Sequence, residues 1–210
     1  MHTDDVTTPV NSLPDTLPVP MYETFSVEHF TSRTNDLFTV RIGLDRELVK
    51  QLKTFSLDTS DTDLQENTSD YERFGMGSFE EWYAKGRTPF ALVHEKTGAL
   101  AALVWFGPKP LGRKSLKHLS PEERARESEI QEHTWHTIVF RAYHPFRGQG
   151  IMKPFAHLAI QRYKKYFPHA RIWAGINAAN AGSIALAEKL GFVKDPTISD
   201  DAWVAMIEKE

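Results

Sequence analysis

The sequence predicts a single α/β domain in which a mixed central sheet is flanked by helices. Segments with the residue pattern of strands alternate along the chain with segments that carry apolar residues at helical spacing. A chain of 210 residues suffices for one domain with a full core, and a second domain would be cramped. In addition, a glycine-bearing turn at residues 147–150 leads from one strand directly into a helix.

Strand and helix signals begin after an irregular N-terminal segment. Residues 1–20 are rich in Thr, Asp and Pro and show no periodicity, so we expect a disordered leader before a domain that covers residues 21–210. Leu37–Ile42 is partly alternating and rich in β-branched residues, as expected of a strand. Asp45 stands where an N-cap is expected, before a helix whose apolar residues fall on one face. Residues 58–70, which follow this helix, are polar.

A second helix and a hairpin come next along the chain. Ser78 and Glu81 have the spacing of a capping box and predict a short helix. Residues 89–106 predict an antiparallel hairpin, because two apolar segments flank a Lys-Thr-Gly turn. Residues 108–131 are charged and have only a weak apolar face, so we expect an insertion on the surface.

The C-terminal third alternates strands with helices. Residues 134–143 predict a strand, and the helix after the glycine-bearing turn repeats apolar residues at helical spacing. Residues 171–176 predict the next strand. Asn180 is placed to cap a last helix, and Gly191 is the residue expected just past its end. Short strands then close the domain.

Composition excludes several classes of function. The chain has 28 acidic and 25 basic residues and a net charge of −3, which gives no general affinity for nucleic acid. It has no apolar run long enough to span a bilayer and no apolar signal core, so we expect a cytoplasmic protein without membrane partners. The absence of cysteine excludes disulfide bonds, thiolate zinc sites and cysteine nucleophiles.

Residues 147–152 carry the main chemical signal. The first-turn N–H groups of a helix lack partners inside the helix, and the helix dipole adds positive potential at that end. Glycines remove the Cβ atoms that would block a close approach, which favours a site for a phosphate or pyrophosphate. A plain strand-to-helix turn is the alternative. The turn matches neither the three-glycine dinucleotide fingerprint nor a P-loop.

Two strings resemble the GNAT N-acetyltransferase superfamily: FRAYHPFRGQGIMKPFAHLAI and, after one strand, NAANAGSIALAEKLGFVK. The first carries the family pattern Arg/Gln-x-x-Gly-x-Gly/Ala at the start of the central helix. The second carries the family's Asn-x-x-Asn segment, its helix and the closing Gly-Phe. The matching positions are Arg147, Gly150, Asn177, Asn180, Gly191 and Phe192. The specific resemblance covers residues 135–195, and it implies a GNAT-like sheet.

The resemblance implies acetyl-CoA as the donor substrate. In the family the backbone amides of the turn hold the CoA pyrophosphate. The corresponding residues here are Arg147, Gly148, Gln149, Gly150, Ile151 and Met152. The strand before the turn pairs its backbone with the pantetheine arm and the acyl carbonyl, which assigns Phe140 and Ala142 to this role. Asn180 resembles the family asparagine that contacts the cofactor or braces the strand, and a simple helix cap is the alternative.

Two positions depart from the family pattern. Met152 replaces the small residue that lets the helix approach the phosphates. Ala187 stands where many relatives have a tyrosine that protonates the CoA thiolate. Ser183, one helical turn earlier, is a candidate to take over this role, and water is the alternative. Protonation of a thiolate is undemanding, because a thiol pKa is about 8.5.

The attacking amine must lose a proton, so a general base is expected near the strand. Glu132, His133, His136 and His144 are the candidates, each with an ordinary surface role as the alternative. We favour His136 or Glu132, because His136 shares a strand face with Phe140. We expect no metal site, because His133 and His136 face opposite sides of a strand and no thiolate is available.

The function that follows is transfer of an acetyl group from acetyl-CoA to a primary amine of a small molecule or peptide. The alternative from another functional class is a CoA-binding sensor or scaffold without turnover. A third hypothesis is an acyltransferase that uses a different acyl donor. Four aromatic residues are candidates to line an acceptor pocket or to pack in the core, and residues 108–131 are a candidate lid or a solvated loop. The aromatic residues are Trp82, Tyr83, Trp105 and Trp135. The sequence does not identify the acceptor and leaves open whether the chain forms a homodimer.

Overall fold

The computed structural model describes residues 13–113 and 134–209, which form one mixed sheet with helices on both faces. In chain order the strands are β1 (Phe25–Thr31), β2 (Leu37–Ile42), β3 (Thr88–His94), β4 (Leu100–Pro108), β5 (Trp135–Ala142), β6 (Arg171–Asn177), β7 (Phe192–Lys194) and β8 (Trp203–Glu208). The helices are α1 (Arg46–Leu57), α2 (Thr62–Asn67), α3 (Phe79–Tyr83), α4 (Met152–Tyr166) and α5 (Ala181–Lys189), and a π-helical turn spans Tyr71–Gly75.

The strand order is β1-β2-β3-β4-β5-β6-β8-β7, and every neighbouring pair is antiparallel except β5 and β6. The parallel pairing is short, because only Trp135, His136 and Thr137 of β5 have partners on β6. On its other side β5 stays paired with β4 as far as Ala142. The two parallel strands therefore separate after Thr137 and leave a gap in the middle of the sheet.

Alternation along β5 sends its side chains into two separate cores. Ile138 and Phe140 belong to the core under α4, where they join Phe155. Val139 packs into the core on the opposite face, which contains Leu48 and other residues of α1. The sheet is thus the middle of three layers, as the sequence predicted for an α/β domain.

Local capping signals are confirmed where the structure tests them. The carboxylate of Asp45 accepts a hydrogen bond from the N–H of Leu48 at the start of α1. The Ser78 hydroxyl accepts one from the N–H of Glu81 at the start of α3. The predicted hairpin is the antiparallel pair of β3 and β4.

The N-terminal region differs from expectation. Val19, at the end of the expected leader, is buried, and its carbonyl accepts a hydrogen bond of 2.6 Å from the Tyr83 hydroxyl. The Tyr166 hydroxyl donates similarly to the carbonyl of Pro14 at 2.6 Å. Residues 13–20 are therefore packed on the domain, and residues 1–12 lie outside the described part. Most of the expected insertion at 108–131 also lies outside it.

Two elements were not predicted at all. β1 forms the edge of the sheet beside β2, and α2 lies in the segment that the sequence marks only as polar. The helix α2 begins because the Asp61 carboxylate accepts a hydrogen bond from the N–H of Leu64. Its single buried apolar residue, Leu64, gives too little periodicity to be recognised in the sequence.

A buried carboxylate joins the helical layer to β5. Asp70 is fully buried just before the π-helical turn, and it accepts hydrogen bonds from Arg141 of β5 and from Nη1 of Arg73, the latter at 2.6 Å. Burial alone would raise the pKa of Asp70, but the guanidinium groups of Arg141 and Arg73 outweigh it and lower the pKa. Asp70 is therefore ionised and holds two arginines in place.

We expect Asp70→Asn to lower the free energy of unfolding by roughly 3–5 kcal/mol, because two largely buried guanidinium groups lose their counter-charge. Urea unfolding at pH 7 measures this, with Glu28→Gln as the control, since Glu28 makes only an exposed ion pair with Arg162. A carboxyl group whose pKa is lowered by folding stabilises the fold at pH values above its unfolded-state pKa. The stability difference between the wild type and Asp70→Asn should therefore shrink as the pH falls below about 4. A difference within about 1 kcal/mol of the control at pH 7 would contradict this role of Asp70.

Candidate functional site

The turn after β5 has an open helix end at its centre. Gly148 and Gly150 have φ angles of 77° and 74°, in the left-handed region that favours glycine. The helix α4 begins at Met152, and no side chain caps its N-terminus. Its first-turn N–H groups are thus not satisfied by a side-chain cap, as an anion site at this position requires.

The Arg147 side chain is held by hydrogen bonds within the protein, and a carboxylate neutralises its positive charge. Both terminal nitrogens of its guanidinium donate to the carboxylate of Asp61 at 2.6 Å, and its Nε donates to the carbonyl of Ala142 at 2.7 Å. The hydrogen bond with Asp61 raises the pKa of Arg147. Burial would raise the pKa of Asp61, but Arg147 outweighs it and the pKa is lowered. This ion pair ties the glycine-bearing turn to the start of α2.

A second arginine lies against the turn from the β1–β2 connection. A Cβ atom placed on Gly150 would lie 3.6 Å from Cδ and from Nε of Arg33. Arg33 is exposed, and it forms no ion pair within the described residues. A guanidinium without a carboxylate partner therefore stands beside the open end of α4.

The first groove, of about 490 Å³, extends from this turn to the N-terminus of α5. Its lining includes six of the residues that the sequence assigned to the site, namely Phe140, Ala142, Arg147, Met152, Asn180 and Ser183. The other turn residues, Gly148, Gln149, Gly150 and Ile151, do not line it, and the Ile151 side chain is buried. The structure thus brings the end of β5 and the start of α5 together around one cavity.

Asn180 and Ser183 are linked at the start of α5. The Asn180 side-chain oxygen accepts a hydrogen bond of 2.9 Å from the N–H of Ser183, so Asn180 is a helix N-cap. The Ser183 side chain is half-buried in the first groove. Ala187 is fully buried in the core and does not line either groove.

The structure corrects the assignment of His136 as a general base. Its Nδ1 lies 2.6 Å from the hydroxyl oxygen of Tyr163, and its ring contacts Phe167. The alternation of β5 points this side chain into the layer under α4, where it is buried and lines neither groove. His144 is exposed on the turn. Glu132 and His133 lie outside the described residues.

The second groove, of about 280 Å³, lies where β5 and β6 have separated. The two grooves share three lining residues, Asn67, Thr68 and Arg141, so they meet at this point. Trp203 packs flat against β6, since a Cβ atom on Gly175 would lie 2.6 Å from its Cζ2 atom. Because Gly175 has no side chain, the indole of Trp203 fits against β6 and forms one side of the second groove.

The expected aromatic residues divide between groove and core. Trp82 and Trp105 line the second groove and also belong to the core under α1. Tyr83 is a core residue of the same cluster, and Trp135 packs with Trp203 in a third cluster.

Sequence reasoning missed several residues of this region. Asp61 and Asp70 have Arg147 and Arg141 as partners far along the chain, and Arg33 lies in a connection without any motif. Asp61 alone carried a usable local signal, because an aspartate three residues before Leu64 fits an N-cap.

Within the described residues, no group of three or more His, Asp or Glu side chains is arranged to hold a metal ion. In the same part of the chain, no helix combines the length and the apolar character needed to cross a membrane.

Comparison with solved structures shows the same fold in several bacterial proteins. The GNAT domain of S. lividans PAT matches with a TM-score of 0.55 and 16% identity, over 86% of this chain and 94% of that chain. An acetyltransferase from Agrobacterium tumefaciens matches with a TM-score of 0.57 and 16% identity, over 89% and 96%. A spermidine N-acetyltransferase from Vibrio cholerae matches with a TM-score of 0.54 and 16% identity, over 81% and 92%.

Comparison of the sequence itself gives the family. No curated protein matches this chain. A family model described as an acetyltransferase (GNAT) domain matches residues 35–193. This range includes the turn, the gap between β5 and β6, the first groove, and the lining of the second groove except Trp203. The chain therefore belongs to the GNAT family of acetyltransferases.

Proposed function

We propose that this protein transfers an acetyl group from acetyl-CoA directly to a primary amine. The observation that carries this proposal is the meeting of two grooves at the gap between β5 and β6. One groove begins at an open helix N-terminus, which suits a phosphate-bearing donor, and the other reaches the gap from the opposite face of the sheet. Donor and acceptor then meet without either crossing the core.

The donor site comprises the first groove and the glycine-bearing turn beside it. The amides at the start of α4 and the guanidinium of Arg33, which lies next to the turn and not in the groove lining, supply positive potential for the pyrophosphate. Beyond Thr137, the β5 edge that faces the gap has no strand partner on β6, so its N–H groups are available to the pantetheine arm, while the carbonyls of Phe140 and Ala142 accept hydrogen bonds from Arg141 and Arg147. The Vibrio cholerae spermidine N-acetyltransferase, which shares this fold, was solved in complex with CoA and spermine.

Acetyl-CoA supplies an acyl group that is already activated as a thioester. The residues of the chain orient the two substrates and stabilise the charge that develops during the transfer. A backbone N–H of β5 at Phe140 or Ala142 donates to the carbonyl oxygen as negative charge develops on it. Ser183, on the wall of the first groove, or a water molecule donates a proton to the departing thiolate. With His136 buried under α4, Glu132 is the remaining candidate base that the sequence favoured, and a water molecule is the alternative.

A CoA-binding sensor or scaffold is the second candidate function. The observation that favours it is Ala187, which is buried in the core and leaves the family's acid position without a proton donor. CoA binding without thiol release across a broad panel of amines would support this alternative over catalysis.

Thermal unfolding with and without acetyl-CoA tests the donor site. Ligand at about 100 times its Kd stabilises a folded protein by about 2.7 kcal/mol, which for a domain of this size raises Tm by roughly 5–10 °C. Gly150→Glu should abolish the rise, because a side chain at a φ of 74° is strained and its carboxylate repels the phosphates. Gly191→Glu is the matched control, since Gly191 has a φ of 92° and follows the last helix, outside both grooves.

A wild-type rise that vanishes only in Gly150→Glu is the expected result. No rise for the folded wild type at millimolar acetyl-CoA would remove the proposed donor. A rise that survives in Gly150→Glu would move the donor away from the turn.

Arg33 gives a second test, because it lies outside the part of the chain that the family model matches. We expect Arg33→Met to raise the Kd for CoA about three- to fivefold at low salt, and the effect should fade as added salt screens the exposed charge. Isothermal titration measures the Kd, with Arg162→Met as a control whose arginine pairs with Glu28 on another surface. An unchanged Kd in Arg33→Met would show that the guanidinium does not reach the phosphates.

A further inference from the structure

Charge in the second groove is divided between its rim and its interior. The acidic residues that line it, Glu66, Glu72 and Glu81, are all exposed. Among the basic lining residues, Lys85 is exposed, whereas Arg73, Arg87, Lys109 and Arg141 are half-buried. The exposed part of the lining therefore carries both signs of charge, and its half-buried charged residues are all basic.

Only part of the positive charge in the interior is neutralised. Among the described residues, Asp70 is the carboxylate that forms ion pairs with both Arg73 and Arg141. Arg87 donates from Nη1 to the carbonyl of Pro108 at 3.1 Å, which provides a hydrogen bond but no counter-charge. The Lys109 ammonium lies 5.2 Å from the centre of the Trp173 ring. In residues 13–113 and 134–209, neither Arg87 nor Lys109 forms an ion pair with a carboxylate.

This arrangement is electrostatically unfavourable in the empty groove. Burial, together with the nearby positive charges of Arg87, Arg73 and Arg113, lowers the pKa of Lys109 to about 7. Burial and Arg73 likewise lower the pKa of Arg87 to about 10. Half-buried cations that repel one another are stabilised when an anion binds between them.

Arg87 is also held in position for such a role. A Cβ atom on Gly107 would lie 2.8 Å from Cδ and from Nη1 of Arg87, so the side chain packs directly on the backbone of β4. A guanidinium fixed in this way loses little rotamer freedom when it binds a carboxylate or a phosphate. Trp82, Trp105 and Trp203 surround the same space and offer apolar faces.

Building on the acetyl transfer proposed above, we propose that the acceptor is an amine that also carries a carboxylate or phosphate group, which Arg87 and Lys109 bind in the second groove. The remainder of such a molecule lies against the tryptophan side chains. Its amine is directed toward Arg141 and the gap between β5 and β6, where the two grooves meet. A polyamine, which brings only positive charge, is disfavoured by the same cations.

Matched pairs of acceptors test this proposal through thiol release from acetyl-CoA. The pairs are L-phenylalanine with L-phenylalaninamide, 4-aminobutyrate with 4-aminobutyramide, and O-phosphoethanolamine with ethanolamine, and spermidine is the cationic comparison. We expect the anionic member to have the higher kcat/KM by about 10- to 100-fold in the pairs that react, because a hydrogen bond to a charged group has this magnitude. The carboxylate pairs and the phosphate pair distinguish the two anionic groups.

Two variants test whether the preference for anionic acceptors arises in the second groove. Arg87→Met and Lys109→Met should each reduce the anionic preference to less than about threefold, while the KM for acetyl-CoA stays unchanged. Lys53→Met, at an exposed position of α1, is the matched control and should keep the full preference. Thermal unfolding of each variant with acetyl-CoA shows whether the donor site is intact.

An inhibitor without an amine adds a readout that a purely structural role would not change. Inhibition by 3-phenylpropionate should weaken as the pH rises through about 7, because Lys109 must be protonated to attract the carboxylate. Lys109→Met should remove this pH dependence. A wild-type inhibition constant that is flat across this range would contradict the role of Lys109.

Failure of this proposal can be told apart from failure of the donor proposal. If acetyl-CoA raises Tm but the neutral amides or spermidine are preferred, or if no anionic amine reacts, the anionic acceptor is wrong and the donor site stands. An anionic preference that persists in both variants would place the anion elsewhere. Loss of acetyl-CoA binding itself would instead overturn the acetyl transfer.

Discussion

The separation of β5 from β6 is the constraint on which the rest of the site depends. Three residues of β5 pair with β6, and the remainder of the strand is held only by β4. A parallel pair in the middle of an otherwise antiparallel sheet can open in this way because antiparallel neighbours hold both strands from outside. The gap exposes backbone groups of β5 and lets two grooves on opposite faces of the sheet meet.

Two aspartates hold the region around this gap. Asp70 binds Arg141 on β5 and Arg73 in the π-helical turn, and Asp61 binds Arg147 at the glycine-bearing turn. Both carboxylates come from the polar segment between α1 and α3. This segment therefore holds β5 and the glycine-bearing turn in position along one side of the site. Ion pairs of this kind stabilise mainly because removal of one partner leaves a buried charge without compensation.

The distribution of arginines separates structural from binding roles. Arg147, the motif residue, has its charge neutralised by Asp61, whereas Arg33 stands beside the same turn without a carboxylate partner among the described residues. In the second groove, Arg141 and Arg73 share Asp70, whereas Arg87 and Lys109 have no carboxylate partner in that same part of the chain. The charges of Arg147, Arg141 and Arg73 are thus shared with aspartates, whereas the turn and the second groove each also have a cation without such a partner among the described residues.

The sequence alone determined the glycine-bearing turn, the caps at Asp45, Ser78 and Asn180, the resemblance to the GNAT superfamily, and the order of the elements other than β1, α2 and the π-helical turn. These features depend on contacts between residues a few positions apart, so a local pattern is enough to encode them. Only the tertiary structure decided which face of β5 meets α4, and hence that His136 is a core residue. It also decided the partners of Arg141 and Arg147, which lie 71 and 86 positions away along the chain. Alternation shows which residues share a face, but the order of strands and the packing of helices decide what that face meets.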